Sequence, residues 1–250
     1  MAHFRFRRSF GNVGTRRFRG ARPSGSPLKL LDTYTGTASA YSFALLSSSY
    51  TGDLYSDTAG SIATIYDQSG SSNLTQATGA NQPTLTADPS ASFDGSNDYI
   101  FGTATNTDTT GSVYLIFSPD DVVRTNRQVL ISFSDTATTN NYIEFGLETD
   151  GRVYMESNSG GTLYTVRSIS ALSNNTYSSL IVAHNGSEYS VIINGEQEPV
   201  IEMDGTTQKW VGDVVGGDQI TLGATQTSGG VSRYFDGNIH SAVISADQFI

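Results

Sequence analysis

The apolar positions fall in short blocks separated by polar turns. Val113-Tyr114-Leu115-Ile116-Phe117, Val129-Leu130-Ile131-Ser132-Phe133, Tyr142-Ile143-Glu144-Phe145-Gly146-Leu147 and Val153-Tyr154-Met155 are strand-length runs rich in β-branched and aromatic residues. No long window is apolar with a period of 3.6, so the pattern argues against helices. Asp150-Gly151 and Asn194-Gly195 supply the strongest hairpin signals, each flanked by such runs. Strands spaced by turns of this kind predict an antiparallel β-sandwich rather than a parallel α/β sheet.

One tripeptide occurs twice, as Phe93-Asp94-Gly95 and Phe235-Asp236-Gly237. Asp-Gly has easy access to positive φ, and the two copies are expected to mark first and last strands that lie together to close the sandwich. Upstream, Ala38 to Leu46 is compatible with a short helix. Ile62-Ala63-Thr64-Ile65-Tyr66 reads as a strand, followed by a turn, Asp67-Gln68-Ser69-Gly70, in which Asp67 caps its own backbone.

At 250 residues the chain suits one large all-β domain with appendages better than two small ones. It contains no cysteine, so packing and sheet ladders must supply the stability. No stretch is long and apolar enough to span a membrane. The opening His3-Phe4-Arg5-Phe6-Arg7-Arg8 is not followed by an apolar core of about seven residues or more, so no secretory leader is expected.

Charge divides the chain in two. Residues 1–27 carry Arg5, Arg7, Arg8, Arg16, Arg17, Arg19 and Arg22 without one acid, so they hold +7, and the net charge of −10 leaves −17 for residues 28–250. Phe4, Phe6, Phe10 and Phe18 interleave with the arginines. Apolar anchors among guanidinium groups suit an extended arm that becomes ordered against a partner. Arginine contacts to phosphate with Phe stacking would suit nucleic acid; an acidic protein assembly is the alternative, and the preferred one.

Two stretches resemble known families. AYSFALLSSSYTGDLY followed by ATIYDQSGSSNLTQATGANQPTL resembles a module of bacteriophage virion proteins that stands ahead of a laminin-G-like, concanavalin A-type sandwich. A similar stretch occurs in the catalytic sandwich of some fungal α-L-arabinofuranosidases. This copy is shortened between Leu54 and Ile62. From Ala91, the pieces ASFDGSNDYI, NYIEFGLETDGRVYMES, SSLIVAHNGSEYSVIINGE and ITLGATQTSGGVSRYFDGNIHSAVIS follow the order of the laminin-G-like family. The division expected is an arm over 1–27, a YDQSG module over 28–90 integrated with the sandwich, and a laminin-G-like core over 91–250. Together these describe an all-β jelly-roll sandwich with a basic N-terminal arm.

Candidate chemistry is sparse. Sugar hydrolysis needs two carboxyl groups about 5 to 10 Å apart across one bond. Glu144 and Glu148 are the nearest to a pair, and they read as solvent-facing strand residues; the E-x-D-x-x-E strand signature of laminarinase-like enzymes is absent. His3, His184 and His240 have no zinc-binding or triad spacing and read as ordinary residues. Because laminin-G-like and pentraxin relatives bind calcium through loop oxygens, the resemblance makes Asp94, Asn97, Asp98 and Asp236 calcium-ligand candidates; no other cofactor is implied. Tyr164, Tyr177, Tyr189, Trp210 and Tyr234 are the aromatics near turns; most tyrosines of a sandwich this size belong to sheet faces and edges, so they do not by themselves define a sugar site.

The reading that results is a non-enzymatic structural protein of a tailed-phage virion, a head decoration subunit fastened to the shell or to neighbouring subunits by its arm. A homo-oligomer is expected. The alternative is a carbohydrate-binding tail or fibre module that attaches to a cell-surface glycan.

Overall fold

The computed structural model describes residues 41–46, 55–58, 60–67, 69, 72–86, 90–204 and 208–246. The basic arm, residues 1–27, lies outside them. The strands are β1 (Tyr41–Leu46), β2 (Tyr55–Thr58), β3 (Ser61–Ile65), β4 (Leu74–Thr75), β5 (Thr84–Leu85), β6 (Ala91–Asp94), β7 (Ile100–Thr103), β8 (Gly111–Pro119), β9 (Gln128–Ser134) and β10 (Tyr142–Leu147). They continue as β11 (Arg152–Ser159), β12 (Thr162–Ala171), β13 (Ser178–His184), β14 (Tyr189–Ile193), β15 (Glu196–Glu198), β16 (Val200–Asp204), β17 (Gln219–Leu222), β18 (Thr225–Thr227), β19 (Gly230–Ser232) and β20 (Asp236–Ser245). No helix among the described residues is long and apolar enough to cross a membrane.

All pairings are antiparallel and build two layers. One runs β7, β17, β9, β10, β11, β12, β16. The other runs β15, β14, β13, β8, β20. The short strands β6, β5, β3 and β4 carry the hydrogen bonding from β20 round to β7. The strands alternate as period-two patterning requires. Ile220, Ile131, Phe145, Met155 and Val166 from the first layer face the core with Val113, Leu115, Leu180, Val182 and Ala242 from the second. Each buried aliphatic or aromatic side chain of this kind contributes about 1.5 to 3 kcal/mol by leaving water.

Both predicted hairpins form. Asn194 (φ 54°) and Gly195 (φ 84°) make the two-residue connection between Ile193 and its partner Glu196. Their left-handed backbone matches the twist of the flanking strands, which is why Asn-Gly is favoured there. At Asp150-Gly151, the Gly151 amide (φ 82°) donates to the Glu148 carbonyl and the Glu148 amide to Arg152. Asp67 caps its turn as expected: its Oδ1 accepts from the Ser69 amide at 2.9 Å and its Oδ2 from the Ser72 amide at 2.9 Å.

The two Phe-Asp-Gly copies lie together, with Asp94 opposite Asp236 and Phe93 opposite Gly237. The sequence is compatible with a short helix over Ala38 to Leu46; the described part of that stretch, Tyr41–Leu46, is instead strand β1, paired with β20 from Ser241 to Ser245. On β20, β6 covers only Asp236 to Ile239. The rest of that edge offers backbone groups that an added strand satisfies, and this pairing overrides local helix propensity.

Candidate functional site

The outward face of the first layer is polar. Strand register sets Phe101, Thr221, Ser132, Glu144, Glu156 and Thr165 in one row across six strands. Alternation places Tyr142 and Tyr154 on the same side. Their strands are nonetheless buried along almost their whole length, so this face has its own packing.

The covering comes from loops that carry charge. The β18–β19 hairpin lies across β9, where the Ser132 and Ser134 hydroxyls donate to the Ala224 and Gln226 carbonyls at 2.9 and 2.6 Å. Arg127 forks onto Glu148 through Nε at 2.9 Å and Nη2 at 2.7 Å, and its Nη1 bonds Glu156. Arg233 bonds Glu144 and reaches Glu156 Oε1 at 3.1 Å. Hydroxyls complete the shell: Tyr154 and Thr225 donate to Glu144 at 2.8 and 2.5 Å, and Tyr142 and Thr165 to Glu156 at 2.8 and 3.1 Å. The Arg127 guanidinium lies 4.6 Å from the centre of the Tyr154 ring, and that of Arg233 5.7 Å from Tyr142.

Electrostatics follow from this closure. Burial lowers the pKa of Arg127, but its bonds to Glu148 and Glu156 outweigh that and hold it well above the ordinary arginine range. Burial, with nearby carboxylates added, pushes the Tyr154 phenol well above its usual value. The expectation that Glu144 and Glu148 face solvent is corrected. Glu144 is fully buried and Glu148 is 9% exposed. The carboxylates survive burial because guanidinium and hydroxyl donors replace water, without which the charge would be prohibitive. Arg233 holds its place with a left-handed backbone, φ 60°, which a non-glycine residue adopts at a cost of about 1 to 3 kcal/mol.

At one margin of this face are the aspartates of the repeated tripeptide. Asp94 Oδ1 accepts from the amides of Ser96, Asn97 and Asp98 at 2.8, 3.1 and 3.3 Å. Burial raises its pKa, but those bonds win and hold it below the usual value. Asp98 Oδ2 accepts from the Asp94 amide at 3.1 Å, and burial and the neighbouring Asp94 charge push its carboxyl up to about 6. Asp236 meets Arg124 at 2.5 Å. The Asn97 amide donates to the Ala80 carbonyl at 2.8 Å. The four calcium candidates are thus near one another, and one oxygen each of Asp94, Asp98 and Asp236 accepts from a backbone amide or a guanidinium. Among the described residues no group of three or more His, Asp or Glu side chains is placed to hold a metal ion.

The aromatic candidates separate. Trp210, Tyr164 and Tyr189 are buried beside His184 rather than presented on loops. Trp210 follows residues 208 and 209 into the gap between layers, where it meets Phe145 edge-on at 5.7 Å. Tyr177 is exposed and lies 4.6 Å from His240. Tyr234, half-buried, packs against Tyr99 at 6.4 Å, and Tyr99 stacks on Phe101 at 5.9 Å. His184 and His240 are strand residues, as read from the sequence; His3 lies outside the described residues.

Sequence reading missed Tyr99, Arg127, Glu156, Arg167 and Arg233. The signal available was polar residues two apart inside apolar runs, Tyr142-x-Glu144 and Tyr154-x-Glu156, which predicts a polar sheet face.

The fold is an antiparallel two-layer sandwich with one polar face. Residues 93–248 match the Laminin_G_3 model of the concanavalin A-like lectin/glucanases superfamily; this is more than half the chain, which belongs to that family. The match does not extend over the YDQSG stretch. No curated protein sequence matches the chain. Among solved structures, the CBM40 of the Ruminococcus gnavus IT-sialidase aligns at 21% identity and TM-score 0.50, over 56% of this chain and 78% of that one. A mutant NanB sialidase from Streptococcus pneumoniae aligns at 16% identity and TM-score 0.49, over 63% of this chain and 25% of that one. A mutant of HCR/D aligns at 12% identity and TM-score 0.56, over 85% of this chain and 49% of that one. At these identities the likeness is one of fold.

Proposed function

We propose that this domain is a non-catalytic glycan-binding module of a bacteriophage particle, attached by its arm and presenting the margin of its polar face, where Tyr99, Phe101 and Tyr234 are partly exposed, to a cell-surface glycan. The observation that carries the reading is the cluster of half-buried Tyr99, Phe101 and Tyr234 beside a charge lattice held in fixed positions. Sugar rings stack their C–H faces on aromatic rings, while their hydroxyls take hydrogen bonds from polar groups whose geometry is already set.

The same lattice argues against hydrolysis. A general acid must hold a proton and a nucleophile must offer a lone pair to the sugar. Both oxygens of Glu144, Glu148 and Glu156 accept from arginine or hydroxyl donors.

The arm, with +7 against −17 on the rest, supports attachment to other virion proteins or to further copies of the chain. A head decoration subunit would use the same arm. Copy number in purified particles, and particle binding by a chain starting at Leu28, separate that role from a tail or fibre position. The glycan reading is tested on a printed glycan array with the full chain. Selective retention lost in both Tyr99→Ala and Tyr234→Ala is expected; retention unchanged in both, or none at all, contradicts it.

A further inference from the structure

Five arginines lie among the described residues, and four are paired: Arg124 with Asp236, Arg127 with Glu148 and Glu156, Arg152 with Asp150, and Arg233 with Glu144 and Glu156. Arg167 makes no ion pair among the described residues, and its Nε is buried without an acceptor. Leaving a buried N–H unmet is unfavourable, and no acceptor for this one is found among the described residues.

Its surroundings narrow the ligand. Arg167 on β12 is opposite Tyr154 on β11 and Ile201 on β16. It therefore continues, on the outward face, the row that contains the Tyr154 ring under Arg127. Ile169, two residues along β12, shares that face, and Ile169 and Ile201 are 49% and 41% exposed. Arg167 thus lies toward one side of the first layer, with two exposed aliphatic residues as its neighbours along β12 and across on β16.

We infer that Arg167 is a specificity residue of that face and reads the carboxylate of an acidic sugar, a hexuronate-type residue, while the C–H side of the sugar ring lies on Ile169 and Ile201. A planar carboxylate matches the guanidinium fork. The overall charge restricts the choice further. A body carrying −17 repels a polyanion such as nucleic acid, whereas one carboxylate per sugar can be received by one local cation. This inference rests on the glycan-binding reading and adds the ligand class to it.

The test uses the full chain and calorimetric titration with trigalacturonate, a glucuronate-terminated trisaccharide and the carboxyl-reduced, neutral form of each. Wild-type protein is expected to bind at least one acidic sugar about tenfold or more tighter than its reduced form. Arg167→Gln should remove that preference, and Arg167→Lys should restore part of it. Melting temperatures of the variants serve as the control for folding. An acid preference that persists in a folded Arg167→Gln, or is absent from wild type, overturns the inference. If the neutral sugar still binds in a Tyr234-dependent way, the glycan reading survives that result; if no sugar binds, both fall.

Discussion

Phe93 and Phe235, the phenylalanines of the two Phe-Asp-Gly copies, meet in the core with ring centroids 6.3 Å apart, and Phe117 closes on Phe235 edge-on at 6.2 Å. The strand that opens the family-matched region and the strand that ends it are thereby joined by side chains as well as by backbone. Phe235 is fully buried. Its truncation to Ala leaves a cavity and should cost about 3 to 5 kcal/mol. A lower urea midpoint with an unchanged m-value is the expected outcome.

Gly95 is held at φ 69°, and a Cβ there would fall 1.9 Å from Arg124 Nη1 and 2.8 Å from Asp236 Cβ. Gly95→Ala should therefore destabilise by about 1 to 3 kcal/mol through backbone strain, and by more through displacement of Arg124 from Asp236. In an Arg124→Ala background the added loss should be smaller, which a thermodynamic cycle of the four proteins measures.

Removing Arg233 strands Glu144, which has no exposed surface. Arg233→Met is expected to cost about 3 to 5 kcal/mol, because a buried carboxylate loses its counter-charge. Adding Glu144→Gln should recover much of that loss, since a neutral amide has no charge to strand. Chemical denaturation of the single and double variants decides it.

Asp98 gives a signed dependence on pH. Its folded pKa is raised to about 6 from 3.8 by burial and by Asp94. Over that window the folded protein holds a proton that the unfolded chain releases. The group's favourable contribution is present below the unfolded value and is lost as pH rises through about 6. Asp98→Asn should thus be relatively more stable at pH 7 than at pH 4, compared with wild type. Melting curves of the two proteins across that range check the sign.

Much of the architecture was legible because it rests on local chemistry. The apolar runs from Val113 to Met155, the Asn194-Gly195 and Asp150-Gly151 turns and the Asp67 cap each follow from their own few residues. β1 was not, because its partner is the free edge of β20, some 200 residues away. The site was legible in part. Asp94, Asn97, Asp98 and Asp236 do gather, but the amides and the arginine that bond Asp94 and Asp236 come from a register that composition does not reveal. Glu144 looked solvent-facing because alternation sets only the side of the sheet; what covers that side, Arg233 and Thr225, arrives from a distant loop.

Sugar is proposed to bind at the margin of the first layer's outward face, on Tyr99, Phe101 and Tyr234. The most direct measurement is a map of backbone amide chemical shifts on the full chain, titrated with whichever oligosaccharide the array retains most strongly. Shifts concentrated at Tyr99, Phe101, Tyr142, Arg233 and Tyr234 are predicted. Shifts confined to β8, β13 and β14 on the other layer, or an array that retains no sugar, would contradict it.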